Sequence, residues 1–469
     1  MDFVMLWTDL LIYILCGSVF SFVLYARKKE YLLRPWKQVI RSRLGSMSFI
    51  ILMAYVGIGF LDSIHFRELE ASNKNKAELV YSAEVISLLD WIATPMRTAQ
   101  EKTYSAPFAT HLYTKETIEL ENGQQVRDYK RLDHGGIHLI DTSDRGSDIA
   151  RHFFIGLIKG GAVWLLFGAV VIIVLSSRWH CSTRNVIHTI RFTQKERLPW
   201  RTIFVTIGVL FVIVALATQL GTRYHILGTD KVGQDVFYQT IKSIRTGLVI
   251  GTLTTLIMLP FAIMLGIMAG YFRGWIDDVI QYVYTTLSSI PGVLLITAAI
   301  LILQVYMANN PDAFGSLTER ADIRLLFLCI ILGITSWTGL CRLLRGETMK
   351  LRDLDYVQAA AAFGVGHFTI IMRHILPNVM HIVLISVVLD FSGLVLAEAV
   401  LSYVGVGVDP SMISWGNMIN SARLEMAREP VVWWPLLASF ILMFVLVLCA
   451  NLFSDAVRDA FDPRLKQRD

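Results

Sequence analysis

Nine predominantly apolar runs constrain this 469-residue chain more than any other feature; they lie at 4–25, 46–64, 154–176, 203–220, 246–270, 279–305, 323–341, 379–404 and 433–453. A helix rises about 1.5 Å per residue, so about 20 residues cross a hydrocarbon core about 30 Å thick. The composition agrees: 54% of residues are hydrophobic and 17% charged, with a mean hydropathy of +0.53. So much apolar surface has to face lipid. The first run reads as a retained helix and not a signal peptide, because its basic cluster Arg27, Lys28 and Lys29 follows the run and no small-residue cleavage site is evident.

Orientation follows from where the cations collect. Segment 26–45 holds Arg27, Lys28, Lys29, Arg34, Lys37, Arg41 and Arg43 against Glu30 alone; segment 177–202 holds six Lys or Arg against Glu196; the tail adds Arg458, Arg464, Lys466 and Arg468. Nine alternating spans put all three on one side, the cytoplasm, with the N-terminus outside and the C-terminus inside. The net charge of +5 therefore reads as topology and not as nucleic-acid binding. Cys16, Cys329, Cys341 and Cys449 lie in or at the edge of apolar runs and Cys181 in a cytoplasmic loop, so neither a disulfide framework nor metal-ligand spacing is present.

The expected organisation is 1–64, two N-terminal transmembrane helices; 65–152, an inserted extracytoplasmic domain; 153–202, a third transmembrane helix and basic linker; 203–454, a six-helix core; and 455–469, a cytoplasmic tail. The excursion 65–152 carries apolar groups such as Val85, Ile86, Leu88, Leu89, Trp91 and Ile92, enough for a small folded domain. Within it 83–92 fits a helix, and 117–126, with Asn122-Gly123, fits a hairpin. An internal repeat is also visible: His138, Thr142, Gly146 and Asp148 match His225, Thr229, Gly233 and Asp235 without a gap. Each copy precedes an apolar run, and Pro35-Trp36-Lys37 and Pro199-Trp200-Arg201 precede them further upstream. We read this as duplication of a helix–loop–helix unit.

The most informative segment runs from Asp355 through Gln358, Ala359, Ala360 and Gly364 to His374, Leu376, Pro377 and Asn378. Small residues at 359–362 let another surface approach closely, Gly364 permits a sharp reversal, and Pro377 is expected to end a second short helix. Two short helices on the membrane face, shaped for a groove on a partner, would result. An ordinary amphipathic surface loop is the plainer alternative.

That segment resembles the EAA loop of ATP-binding-cassette importers, and more narrowly the C-type permease subunit of the dipeptide, oligopeptide and nickel importers. Gln358 stands where the pattern usually has Glu. Further motifs of that family follow in order: HILGTDKVGQDVF (225–237, with Gln234 for a usual Arg), GYFRGWIDD (270–278), RLLRGETMKLRDLDYV (342–357), LSYVGVGVDPSMISWGNMI (401–419) and SDAVRDAFDPRL (454–465, with Ser454 at a usual Gly). The resemblance covers about 195–469; family members usually have one helix before the external motif, whereas three precede the core here.

The resemblance implies an all-α polytopic permease of the bacterial inner membrane, with a six-helix core, three N-terminal helices and a coupling loop at 344–378. It implies a B-type permease partner, two ATPase subunits carrying ATP and Mg, and an extracytoplasmic substrate-binding protein, with a peptide as cargo. His225, Gly228, Thr229, Asp230, Gly233 and Asp235 would form the external motif. Nickel or another small solute, or a sensor with a degenerate core, are the alternatives.

No phosphate loop accompanies these motifs, since Gly228 and Gly233 are followed by Gln234 and Asp235, and no Ser-His-Asp or HExxH arrangement occurs. The chain is therefore expected to bind no cofactor and to catalyse no reaction itself. Asp390 and Glu398 are intramembrane acids and candidates for the translocation path; a hydrogen-bonded structural carboxyl is the alternative, favoured for Glu398. His65, His111, His134, His138 and His152 lack ligand spacing and read as surface or packing residues.

Overall fold

Helices take up the apolar runs. The computed structural model describes residues 2–28, 30–69, 81–119, 125–180, 182–191, 198–310 and 316–461. Among them eight helices are long and apolar enough to cross a membrane: Arg43–Asp62, Thr142–Arg178, Trp200–Gly221, Val236–Phe272, Gly292–Asn309, Leu317–Arg352, His367–Tyr403 and Trp434–Phe461. The first run forms the helix Trp7–Ala26, whose apolar stretch Trp7–Ser21 is shorter. Phe154, Ile158, Leu165, Leu166 and Ile173 all stand more than half exposed along one helix. At about 25 cal/mol per Å² such surface is costly in water, so it faces lipid. The chain is an all-α multi-pass membrane protein.

The chain divides into two compact units. The first joins Met1–Val4, Lys37–Arg245 and Ile413–Cys449. Its sheet is antiparallel, in the order Asp2–Val4, His65–Leu69, Tyr81–Ser87, and Glu116–Glu119 pairs with Gln125–Asp128 as the expected hairpin. The Asn122-Gly123 turn lies outside the described residues. The helix expected at 83–92 begins only at Leu88: Val85 and Ile86 pair with Arg67 and Phe66 in the sheet, and the Ser87–Asp90 capping box starts the helix Leu88–Ile92. β-branched residues beside an open strand edge favour pairing over helix. The helices Arg145–Trp179 and Trp200–Gly221 pack through Gly156 and Gly160, where a Cβ would meet Leu216 at 2.9 Å and Val212 at 2.7 Å. Small residues four apart allow this close approach in lipid.

The second unit joins Met5–Trp36, Thr246–Met412 and Ala450–Asp469. One apolar cluster centres on Val249, Ile250, Leu253, Leu325 and Leu328, another on Ala262, Ala269, Leu344, Ile370 and Val379. Asp322 accepts from the backbone N–H of Thr8 at 3.2 Å and from its hydroxyl, satisfying donors at the start of the helix Trp7–Ala26.

Prolines account for two departures from expectation. The run 279–305 is not one helix: Gly274–Ser289 ends at Ile290, which is extended (φ −87°, ψ 128°), and Gly292–Asn309 starts beyond Pro291. A residue before proline is disfavoured in the α region. Pro377, conversely, ends nothing. It sits in the first turn of Leu376–Tyr403, directly after a π-helical turn Ile371–Ile375, and the helix runs unbroken from His367 to Tyr403. A wider turn relieves the clash that a proline ring makes with the carbonyl four residues earlier. One short helix followed by a long one therefore replaces the expected pair.

Candidate functional site

The segment 355–378 is a firmly seated base with a bare tip. The helix Asp355–Ala362 drives Val357 into the core cluster beside Ile370 and Ile375, all three almost wholly buried. The turn of the 270–278 motif supports it from below. The Tyr271 hydroxyl lies 2.8 Å from His367 Nδ1, and Arg273 donates to both oxygens of Asp353 at 2.8 and 3.1 Å. Arg345 clasps Asp277 through two bonds of 2.6 and 2.7 Å, which holds the Asp277 carboxyl below its usual range. A Cβ at Gly270 would strike the Arg345 carbonyl at 2.6 Å, so the turn packs directly on the helix Thr338–Arg352.

Above this base Asp355, Gln358, Ala359 and Gly364 are exposed and Ala360 is half-buried against the core cluster. Gly364 reverses the chain at φ +79°, with open space where a Cβ would stand. Phe363 is 88% exposed, and Phe368, Leu354 and Tyr356 are exposed beside it. Gln358 donates to its neighbour Asp353's carbonyl at 3.2 Å, a neutral bond where an acid would carry charge. Asn378 donates to the His374 carbonyl at 2.6 Å and the Tyr356 hydroxyl at 3.1 Å, bringing 356, 374 and 378 together. Leu376 is half-buried and Pro377 exposed.

The 225–237 motif is a closed knot, and its main partner is one that no spacing rule reveals. His225 is 3% exposed; its Nδ1 lies 2.7 Å from Asp235 and its Nε2 3.4 Å from Glu101. Glu101 also accepts from the backbone N–H groups of Asp133, His134 and Gly135 at 2.8 to 2.9 Å. Thr229 accepts from Ser105 N–H at 2.7 Å and donates to the Thr103 carbonyl at 2.9 Å. Asp230 closes the turn on the N–H groups of Val232 and Gln234. Both glycines are needed for clearance: with positive φ, a Cβ at Gly228 would lie 2.3 Å from the Ser105 carbonyl oxygen, and one at Gly233 1.7 Å from that of Glu101.

Burial alone would discharge both His225 and Glu101, but their bonds outweigh it. The carboxylates of Asp235 and Glu101 carry the His225 pKa to about 9, and His225 with three N–H donors takes that of Glu101 to about 2. His225 is raised from 6.5, so its contribution to stability is complete below pH 6.5 and lost as pH rises through 9. Glu101 is lowered from 4.5, so its contribution is complete above pH 4.5 and lost as pH falls through 2. Thermal unfolding of the solubilised protein should show a midpoint that falls on both flanks, and His225→Gln should flatten the alkaline one. An unchanged alkaline flank in that variant would contradict the knot's ionisation.

The two intramembrane acids differ. Glu398 is buried and accepts from the Ser402 hydroxyl at 2.7 Å, beneath Gly407, where a Cβ would meet Ser402. Asp390 is half-buried and makes no hydrogen bond or ion pair among the described residues. Ser454 is buried in the helix Trp434–Phe461, as the small residue usual there would be.

Residues 262–467 match the family model described as binding-protein-dependent transport system inner membrane component. A glutathione transport system permease protein of Pectobacterium atrosepticum is 33% identical over 243 residues, covering 52% of this chain and 73% of the relative. An oligopeptide transport system permease protein of Mycobacterium tuberculosis is 34% identical over 249 residues, covering 53% and 79%. A dipeptide transport system permease protein of Bacillus subtilis is 28% identical over 243 residues, covering 52% and 65%. Each alignment leaves almost half of this chain unmatched.

Proposed function

Because the chain belongs to the binding-protein-dependent transport system inner membrane components, we propose that it is the permease subunit of an ATP-driven importer of peptides. The observation that carries this reading is the bare apolar tip around Phe363 on a buried base, which has the form of a docking element for a separate ATPase. ATP and Mg are held by two such ATPase subunits. A B-type permease completes the membrane channel, and an extracytoplasmic binding protein delivers the cargo. Residues 355–378 face the cytoplasm and the 225–235 knot faces outside, as the basic segments argue.

Closure of the ATPases on ATP pushes the tip. The push passes through the Tyr271–His367 and Arg273–Asp353 contacts into the helices Val236–Phe272 and His367–Tyr403. Their tilt exchanges inward-open for outward-open states. Asp390, unpartnered at membrane depth, lines the path, while Glu398 is structural. The relatives named for peptide and glutathione transport support a peptide cargo.

The test is reconstitution with the ATPases, the second permease and the binding protein in proteoliposomes. ATP turnover should rise when peptide-loaded binding protein is added, and labelled peptide should accumulate. ATPases that do not stay bound to the permease pair would refute the importer reading.

A further inference from the structure

We propose that His138, Asp148 and His152 form a binding site for a divalent transition-metal cation of the zinc class. One ligand atom from each lies within 4.8 Å of the others. His138 Nε2 is 2.7 Å from Asp148 Oδ2, and His152 Nε2 is 3.4 Å from Asp148 Oδ1. A tetrahedral ion with bonds of about 2.0–2.1 Å sets its ligand atoms about 3.3 Å apart, so small side-chain rotations complete the set. Asp148 and His152, four residues apart, share one face of the helix Arg145–Trp179. His138 arrives from the preceding turn, which the Arg131 guanidinium holds by the carbonyls of Gly136, Ile137 and Leu139.

The next layer is that of a ligand set. The Tyr224 hydroxyl donates to Asp148 Oδ2 at 2.7 Å, and the Gln219 amide lies 3.0 Å from His152 Nδ1. The Gln219 oxygen accepts from Lys159 Nζ at 2.7 Å. A metal on His152 Nε2 leaves the ring hydrogen on Nδ1, so that oxygen has to turn from Lys159 to the ring when the ion binds. Two imidazoles and one carboxylate select zinc, cobalt, nickel or ferrous iron over magnesium and calcium, and leave a coordination position open.

The internal repeat explains why the site exists in one copy only. His138–Asp148 and His225–Asp235 are equivalent pairs at the start of a long helix, each closed at 2.7 Å, the first through Nε2 and the second through Nδ1. In the second copy carboxylates occupy both ring nitrogens of His225, the side chain is 3% exposed, and Gln239 stands where the first copy has His152. In the first copy the third ligand is present and the His138 side chain is 26% exposed, so an ion can reach it. Divergence has turned a structural pair into a three-ligand set.

The experiment is titration of the full-length chain, purified in detergent on a tag free of histidine and stripped with chelator, with cobalt(II). The wild type should take up one equivalent with visible d–d absorption that zinc abolishes. His152→Gln, which copies the second repeat, should weaken binding more than about 100-fold, since even indirect partners of a metal site are worth 10–100-fold. Gln219→Glu should tighten it about tenfold, and His111→Ala should leave it unchanged. A wild type that binds cobalt no better than His152→Gln, or binding that survives His138→Ala and His152→Gln together, overturns the proposal and leaves a hydrogen-bonded His–Asp–His chain. His152→Gln tests the site even if His138→Ala fails to fold.

Discussion

Phe363→Ala and Gly364→Asp are each expected to abolish ATP-driven uptake while the protein stays in the membrane at wild-type level. Phe363 is 88% exposed, with Phe368, Leu354 and Tyr356 around it, so its truncation removes little that holds this chain together. An aromatic anchor at the centre of an interface is worth about 2 kcal/mol or more, or roughly 30-fold in partner affinity. Gly364→Asp works differently. The φ of +79° makes the substitution cost about 1–2 kcal/mol, but a Cβ there meets open space and aspartate is among the residues that tolerate this conformation. The fold survives, and a charge is placed among the exposed apolar side chains proposed to meet the ATPases. Ala360→Glu should also stop uptake, but Ala360 is half-buried on the core cluster, so that variant mixes lost docking with lost stability. Uptake of labelled peptide, membrane abundance by immunoblot and retention of the ATPases give the three readouts needed. Normal uptake by Phe363→Ala and Gly364→Asp would dismiss the coupling role of 355–378.

How far the sequence foretold this arrangement depends on the range of each interaction. Apolar runs are local, so each of the nine is helical in the structure, 279–305 as two helices and the first run with a shorter apolar stretch. What local pattern misjudged was proline. The same residue type breaks a helix after Ile290 and is absorbed at 377, and the difference is a π turn that nothing in the immediate sequence announces. The segment 355–378 stands out in the sequence because its residues are contiguous, and its coupling role is the proposal made above. Glu101 does not stand out: it meets His225 from 124 residues away, and an isolated glutamate has no spacing signature. His138, Asp148 and His152 fall between these cases. Asp148 and His152 are one helical turn apart, and the repeat aligned His138 and Asp148 with His225 and Asp235 without showing that either pair meets. His152 aligns with Gln239 and so falls outside the matched positions, and the cluster emerges only when the helical turn and the preceding loop are brought together.

Glu101→Ala should be the most destabilising single change outside the membrane spans. The carboxylate is 1% exposed and answers four donors at once, three backbone N–H groups and the His225 ring. Removing it strands those donors and leaves the buried His225 ring with Asp235 alone among the carboxylates it contacts in the described residues. Breaking a buried pair from one side costs about 3–5 kcal/mol. Glu101→Gln should cost less, because the amide oxygen still accepts from backbone N–H groups while the charge is lost. Gly233→Ala attacks the same knot through shape, since its Cβ would lie 1.7 Å from the Glu101 carbonyl oxygen, and should match the alanine variant in severity. The damage should be local. Hydrogen exchange should rise across 98–113 and 222–236, and protease should cut there, while the apolar helices still insert. If Glu101→Ala unfolds at the wild-type midpoint with exchange unchanged in both segments, the knot holds nothing. The 225–237 motif would then have to act on something outside this chain instead of fastening the 65–152 excursion to it.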